Sequence, residues 1–235
     1  MSRARQGADA ALALSVSVAL VGLQWGLSAL WQSAFDASWR VALLPLERVG
    51  GAQAWREPWR WVTSTLVHTG ASHAIANSAL FAFLFTRLAS RAGSARERSV
   101  VLGALLWVGW CTNVALSALE PEAHAVGFSG VVGAGVGALL AVSARAPEER
   151  VYAFGSAALF AAASMAVSVD HAAHALSVVL GGALFARSVP RSSAWAVGAL
   201  AALVVSVMAA LWAVASCSAS DEAWHACFVA PYVVE

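Results

Sequence analysis

The sequence predicts an all-α membrane protein with seven transmembrane helices. The first observation is composition: 60% of the 235 residues are hydrophobic and only 11% are charged, whereas a soluble domain carries about 25% charged residues. The second is length, because the apolar stretches between the charges reach the roughly 20 residues that a helix needs to cross a bilayer. The third is charge placement, because the arginines alternate between the two sides of these stretches.

Seven apolar segments carry this prediction. The first follows "MSRARQ"; it is longer than the apolar core of a signal peptide, about 7–15 residues, and no small-x-small cleavage site ends it, so we expect a retained span. We expect 1–9 to be a cytoplasmic N-terminus, 10–187 a six-helix core, and 188–235 an additional helix with a short external tail. The segments are 10–31, 70–89, 99–119, 129–144, 151–169, 171–187 and 194–216.

The arginines predict the orientation in the membrane. Ten of the fourteen fall on one side of the segments, and the remaining four all lie in the long first loop. Cytoplasmic loops are enriched in basic residues, so we expect the N-terminus inside and the C-terminus outside. A net charge of +1 leaves no basic face for nucleic acid. The ten are Arg3, Arg5, Arg87, Arg91, Arg96, Arg98, Arg145, Arg150, Arg187 and Arg191.

Two groups of residues on the predicted outer side, the tryptophans of the first loop and two cysteines near the C-terminus, give further structural expectations. Six tryptophans crowd the first loop and its borders, which predicts an element partly embedded at the headgroup level. Cys217 and Cys227 both lie at the outer end, in "CSASDEAWHACF". Outside the cytoplasm they can form a disulfide; two thiols that never meet are the alternative.

Polar side chains at membrane depth are costly and are therefore candidates for function. Counting about 1.5 Å of helical rise per residue from the arginine that ends each span places four of them at similar depth. Ser129 and His174 lie roughly 24 and 20 Å above that arginine, and His73 and Asn77 roughly 21 and 15 Å. By contrast, His68 lies just before the second span, and we expect it to be solvated.

These four residues suit acyl transfer. A serine hydroxyl becomes nucleophilic when a base removes its proton, and His174 is a suitable base for Ser129. No acid lies at the same depth to orient the imidazole, so a dyad fits better than a triad. The oxyanion needs donors, which the backbone N–H of Ser129 and the side chains of His73 and Asn77 can supply.

Small residues support a close approach of the fourth and sixth spans. Gly133 and Gly137 in one span, and Ser177 and Gly181 in the other, form small-x-x-x-small patterns, which let helices approach closely in lipid. We expect Gly127 and Gly130, on either side of the serine in "GFSG", to free the backbone around the oxyanion.

With these motifs, the sequence resembles the rhomboid family of intramembrane serine proteases over residues 10–187. "EPWRWVTSTLVHTGASHAIANSALF" resembles the tryptophan–arginine loop motif and the H-x-x-x-N helix, "GFSG" the G-x-S-G motif, and "AHALSVVLGG" the histidine motif. The resemblance implies a six-helix bundle, here with one extra C-terminal transmembrane helix. It also implies a Ser129–His174 dyad opened from the outer side, an oxyanion held by His73 and Asn77, and Trp59 and Arg60 in the embedded loop.

Two positions depart from the family pattern. Ser177 replaces the first glycine after the histidine, and it is still small enough for close packing. Gly133 stands four residues beyond Ser129, where the family often has an aromatic that stacks on the histidine. The family pattern therefore identifies His174 as the histidine of the dyad, but the residue that would orient its ring is missing at position 133.

The resemblance implies an intramembrane serine endopeptidase that acts on single-span membrane proteins in the bilayer, without a cofactor or a metal. The compact size resembles rhombosortases, which trim C-terminal sorting tails of exported bacterial proteins and would place the chain in the bacterial inner membrane. The alternatives are a catalytically inactive rhomboid-like protein that binds transmembrane helices, a small transporter using its histidines, and a metal or haem site at His171 and His174. The sequence leaves the oligomeric state open.

Overall fold

The fold is described from a computed structural model, which covers residues 51–68, 71–119, 126–166, 171–186 and 194–217 together with isolated positions within 7–22. The regular structure in these ranges is helical, and no strand occurs among them. Eight α-helices lie in the five continuous ranges, and short 3-10 turns cover Ser64–Leu66 and Pro147–Glu149. The helices are α1 Gly51–Arg56, α2 Arg60–Thr63, α3 Ala71–Ala89, α4 Ala95–Leu119, α5 Ser129–Ser143, α6 Arg150–Ala166, α7 His171–Phe185 and α8 Ala194–Cys217.

Helices α3 to α8 coincide with the last six predicted apolar segments. Each begins and ends within four residues of the predicted bounds. By length and composition, α4 can cross a membrane, whereas Ser129–Ser143, His171–Phe185 and Val197–Ser206 are apolar but shorter. The first predicted segment, 10–31, lies almost entirely outside the described residues, so the arrangement of six spans plus one stays a prediction.

Helix α5 lies at the centre of the bundle and packs against α3, α4, α6 and α7. Its closest neighbour is α7, because a side-chain carbon at Gly137 would overlap the carbonyl oxygen of Val178, and one at Gly181 would overlap that of Ala134. Backbones this close leave no room for a Cβ atom at either glycine. The predicted close approach of these two helices is confirmed.

One apolar core surrounds α5. Phe81, Leu84 and Phe85 of α3 are fully buried in it, as are Val131 of α5 and Phe185 of α7. Because α5 is built largely from glycine, alanine and valine, it can be enclosed by its neighbours without large side chains of its own. The outward faces of α6 and α8 are apolar and exposed, as in Phe154, Leu159, Val197 and Leu200.

Charged side chains gather where α3 ends and α6 begins. Arg87 donates to Glu149 from Nε at 3.0 Å and from Nη2 at 2.9 Å, and its guanidinium lies 4.0 Å from the ring centroid of Tyr152. Arg91 donates to both Glu148 and Glu149, at 2.7 and 2.8 Å. These hydrogen bonds raise the pKa of Arg91, with the bond to Glu149 as the largest cause.

Arg145, two residues beyond α5, donates to the carbonyl of Phe185 at 2.8 Å and caps the end of α7. Arginine at a helix C-terminus satisfies its last carbonyls. Helices α5 and α7 therefore run in the same direction and end at the same level. Their first residues, Ser129 and His171, both lie toward the other end of the bundle.

Helix α8 packs against α4 and against the short helix α2. A Cβ atom at Gly198 would lie 3.2 Å from Nε1 of Trp107, and Ala199 is buried in a cluster with Val62 and Trp110. The additional helix is thus seated on the side of the bundle formed by α4, next to the first loop.

Candidate active site

Ser129 is the first residue of α5, and its side chain is partly exposed. The backbone N–H groups of Val131 and Val132 both donate to the carbonyl of Phe128, at 3.0 and 3.1 Å, where the helix begins. Because the first N–H groups of an α-helix have no acceptor within the helix, Ser129 presents a backbone donor beside its hydroxyl. This is the arrangement expected from its place at the start of a span.

The turn before Ser129 depends on Gly127. Its φ of +124° is a conformation that side chains rarely adopt, and its N–H donates to the carbonyl of Ser64 at 2.9 Å. A Cβ atom here would lie 2.9 Å from Cε1 of His73 and 3.7 Å from Nδ2 of Asn77. The side chains of His73 and Asn77 therefore converge on the backbone two residues before Ser129.

Asn77 lies in α3 with only 8% of its surface exposed. Within the described part of the chain, its Nδ2 atom is buried and has no hydrogen-bond partner. A buried N–H group without an acceptor costs about 1–3 kcal/mol. Next to Gly127, this amide is a donor available to a developing negative charge on a ligand.

His68 is buried, and the expectation that it is solvated is wrong: only 1% of its surface is exposed. Its Nε2 accepts the backbone N–H of Phe128 at 3.2 Å, and its ring meets that of His73 edge to face, with centroids 5.2 Å apart. Burial, and to a smaller extent His73, lowers the pKa of His68 to about 4. His68 is therefore a neutral histidine that fixes the residue preceding Ser129.

The contact between α5 and α7 brings Ser129 and His174 to one level. A Cβ atom at Gly133 would overlap Oγ of Ser177, so these two positions face each other. Because the helices run in the same direction, one turn back along each, about 3.6 residues, leads from Gly133 to Ser129 and from Ser177 to His174. Serine and histidine thus occupy corresponding positions in neighbouring helices.

The ring of His174 has two neighbours in α6 that were not predicted. The centroid of Phe160 lies 4.8 Å from that of the imidazole, and Oγ of Ser164 lies 2.7 Å from Nδ1. The family pattern often has, at the position of Gly133, an aromatic that packs on the histidine. In this chain Phe160 of α6 packs on His174 instead, and its Cζ would lie 3.3 Å from a Cβ atom at Gly133. The sequence signal that could have found Ser164 was a polar residue inside an apolar span.

The first loop contacts the site from the side of α4. Arg60 is fully buried and pairs with Glu57, and the carbonyl of Trp59 accepts the hydroxyl of Thr63 at 3.2 Å. Nδ2 of Asn113 in α4 donates to the carbonyl of Trp61 at 2.7 Å and to Ser64 at 3.1 Å. Since Ser64 also accepts the N–H of Gly127, this loop is tied to the turn that precedes Ser129.

Some predicted features lie outside the described residues. Cys217 is the last residue of α8, but its predicted disulfide partner Cys227 is not described, so their pairing stays a prediction.

Gly130 lies beside α4, with ordinary van der Waals distances of 3.7 Å to Gly109. In the ranges that are described, no group of three or more histidine, cysteine or acidic residues could hold a metal.

A family model described as the Rhomboid domain matches residues 55–191, which is more than half of the chain and includes Ser129, His174, His73 and Asn77. No curated protein matches the chain.

Proposed function

The chain belongs to the rhomboid family, and from this premise we propose that it is an intramembrane serine endopeptidase in which Ser129 is the nucleophile and His174 the general base. The observation that carries the proposal is the convergence of the side chains of His73 and Asn77 on Gly127, two residues before Ser129 at the start of α5. As a member of this family, the chain is a membrane protein of the intramembrane protease class.

In the proposed acylation step, Ser129 at the start of α5 and His174 in α7 act as a pair. Nε2 of His174 removes the proton from Oγ of Ser129 as the oxygen attacks the carbonyl carbon of the scissile bond. The resulting imidazolium gives this proton to the leaving amine, and the C–N bond breaks. A water molecule, deprotonated by the same histidine, then hydrolyses the acyl-serine, and the proton returns to Oγ.

The oxyanion of the tetrahedral intermediate lies near Gly127 in this proposal. Nδ2 of Asn77 donates to it, and so does the backbone N–H of Ser129 at the start of α5. His73 adds a second side-chain donor from the turn of α3 that precedes Asn77. Donors fixed in advance, in a site that excludes water, stabilise the transition state more than donors in solution.

The substrates in this proposal are single-span membrane proteins that enter from the lipid. The outward face of α6, which includes Phe154, Leu159 and Met165, is exposed and apolar, and such a face fits lipid or another transmembrane helix. The arginine distribution supports a cytoplasmic N-terminus with the site toward the outer side.

A narrower assignment is the rhombosortase subgroup, which the compact size of the chain supports. Its substrates would be exported proteins of a bacterial inner membrane that carry a C-terminal sorting tail. Comparing membrane-anchored exported proteins in cells with and without this chain tests it. Tails that are retained only in the absence of the protein support the assignment, whereas unchanged tails contradict it.

The proposed activity is tested with purified protein in detergent or liposomes and a single-span substrate. We expect cleavage by the wild type, and its loss in both Ser129→Ala and His174→Ala. A fluorophosphonate probe should label the wild type and not Ser129→Ala. Equal labelling of the two contradicts the nucleophile assignment. Binding of a transmembrane helix without cleavage by the folded wild type would favour the inactive, helix-binding alternative.

A further inference from the structure

We infer that Ser164 is a positioning residue for His174: its hydroxyl selects the tautomer and the orientation in which the imidazole can act as a base. The inference rests on the proposed function and adds to the Ser129–His174 dyad a neutral third group from a different helix. It starts from the 2.7 Å contact between Oγ of Ser164 and Nδ1 of His174.

The direction of this hydrogen bond follows from the other bond of the same hydroxyl. Oγ of Ser164 donates to the carbonyl of Phe160, four residues earlier in α6, at 2.8 Å. A hydroxyl has one proton to donate and two lone pairs to accept with. With its proton on the Phe160 carbonyl, Ser164 accepts the N–H of Nδ1. A neutral imidazole that is protonated at Nδ1 has Nε2 as its basic nitrogen, the atom that must take the proton of Ser129.

The position of Ser164 makes this bond persistent. Only 8% of the serine surface is exposed, so few water molecules can compete for Nδ1. A hydrogen bond that is shielded from water is stronger than one at the surface. In a serine protease triad, a buried aspartate performs this orienting task through the same ring nitrogen. Here a hydroxyl performs it without placing a charge among the apolar helices.

Phe160 packs against the imidazole ring of His174 in the space next to Gly133, where α5 has no side chain. Its ring centroid lies 4.8 Å from that of His174, with an angle of 42° between the planes. A larger residue at position 133 would collide with Phe160, because even a Cβ atom there would lie 3.3 Å from its Cζ. The glycine in α5 and the aromatic in α6 are therefore complementary, and α6 both supports and orients the histidine.

The test compares three serine variants of the full chain in the same detergent. We expect Ser164→Ala to lower kcat about 10-fold with KM within about 2-fold of wild type, which is a barrier change of about 1.4 kcal/mol, the size of one hydrogen bond. Ser164→Thr keeps the hydroxyl and should recover most of kcat. The matched control is Ser156→Ala in the same helix: Ser156 is also buried, and its Oγ donates to the carbonyl of Ala153 at 3.0 Å.

A second measurement reads the tautomer directly. In protein labelled with ¹⁵N-histidine, the His174 signals are assigned by their loss in His174→Gln. We expect the Nδ1-protonated tautomer in the wild type and in Ser156→Ala, and a mixture of tautomers in Ser164→Ala. Thermal midpoints of the three serine variants show that each one is folded.

The outcomes separate this inference from the proposed function. If the wild type cleaves nothing and Ser129 is not labelled, the proposed function fails. If the wild type is active and Ser164→Ala has the same kcat as Ser156→Ala, only the positioning role is overturned. An unchanged tautomer in Ser164→Ala overturns it as well.

Discussion

Nε2 of His68 accepts the backbone N–H of Phe128 over 3.2 Å, and Phe128 immediately precedes Ser129. The acceptor is a histidine that burial keeps neutral, with its pKa lowered to about 4. The first loop thereby contributes directly to the geometry at the start of α5. A protonated His68 could not accept this bond, because both ring nitrogens of the imidazolium are donors.

The free energy of unfolding should therefore depend on pH through His68. The folded-state pKa of about 4 lies below the unfolded value of about 6.5, so the unfolded chain binds more protons between these values. The contribution of His68 is fully present above about pH 6.5 and is lost as pH falls toward 4, by about 3 kcal/mol in total. Thermal midpoints in detergent from pH 7.5 to 4.5 measure it.

The control for this pH dependence is His68→Gln, whose amide can still accept a hydrogen bond but does not titrate. We expect the fall in thermal midpoint on acidification to be smaller in this variant than in the wild type. Equal falls in the two proteins would show that His68 does not carry the effect.

Gly127→Ala should abolish most of the activity. The backbone at φ +124° is strained for alanine, and the added methyl group would lie 2.9 Å from Cε1 of His73. A residue forced into such a conformation costs about 1–3 kcal/mol, and relief of that strain would displace His73 or Ser129. Cleavage rates and probe labelling of the folded variant measure the loss. Gly155→Ala in α6 is the control, because no atom lies within 4 Å of its added carbon; comparable losses in both variants would contradict the prediction.

The helices, and the place of Ser129 at the start of one of them, could be predicted from the sequence because the signals are local. Each apolar segment predicts one helix by its own composition. Counting the fixed helical rise per residue from the arginine that ends the span then predicts the depth of Ser129 and Asn77 in the membrane. The roles of Phe160 and Ser164 could not be predicted in this way. Helix α6 is apolar on most of its surface, so its sequence does not indicate which face meets His174.

The burial of His68 was missed for a related reason. It depends on how the first loop folds back against the start of α5, which is a contact between segments about 60 residues apart. At Gly133, the sequence of α5 alone shows that the aromatic side chain of the family pattern is missing, but it does not show which neighbouring helix fills the space. The space beside a glycine can be filled from any neighbouring helix, and here Phe160 fills it.

Gly137→Ala should separate α5 from α7 and inactivate the protein. The added carbon would overlap the carbonyl oxygen of Val178, and overpacking a core typically costs about 1–3 kcal/mol. For a chain of this size, that corresponds to a fall of about 2–12 °C in the thermal midpoint. Gly182→Ala tests the same interface as a control, because its added carbon would lie at an ordinary 3.4 Å from the carbonyl oxygen of Gly137. A greater loss in Gly182→Ala than in Gly137→Ala would contradict the packing described here.

Glu149→Ala should destabilise the end of the bundle opposite Ser129. Its carboxylate is 3% exposed and accepts hydrogen bonds from Arg87 and Arg91 at 2.8–3.0 Å. Removing it leaves two partly buried guanidinium groups without this acceptor, at a cost of about 1–3 kcal/mol.

The neighbouring Glu148, 63% exposed, also binds Arg91, but solvent screens that pair, so Glu148→Gln should change the thermal midpoint little. Because both positions are remote from the site, kcat of folded Glu149→Ala at low temperature should stay near that of the wild type. Equal midpoints for the two variants would show that burial of Glu149 contributes no stability.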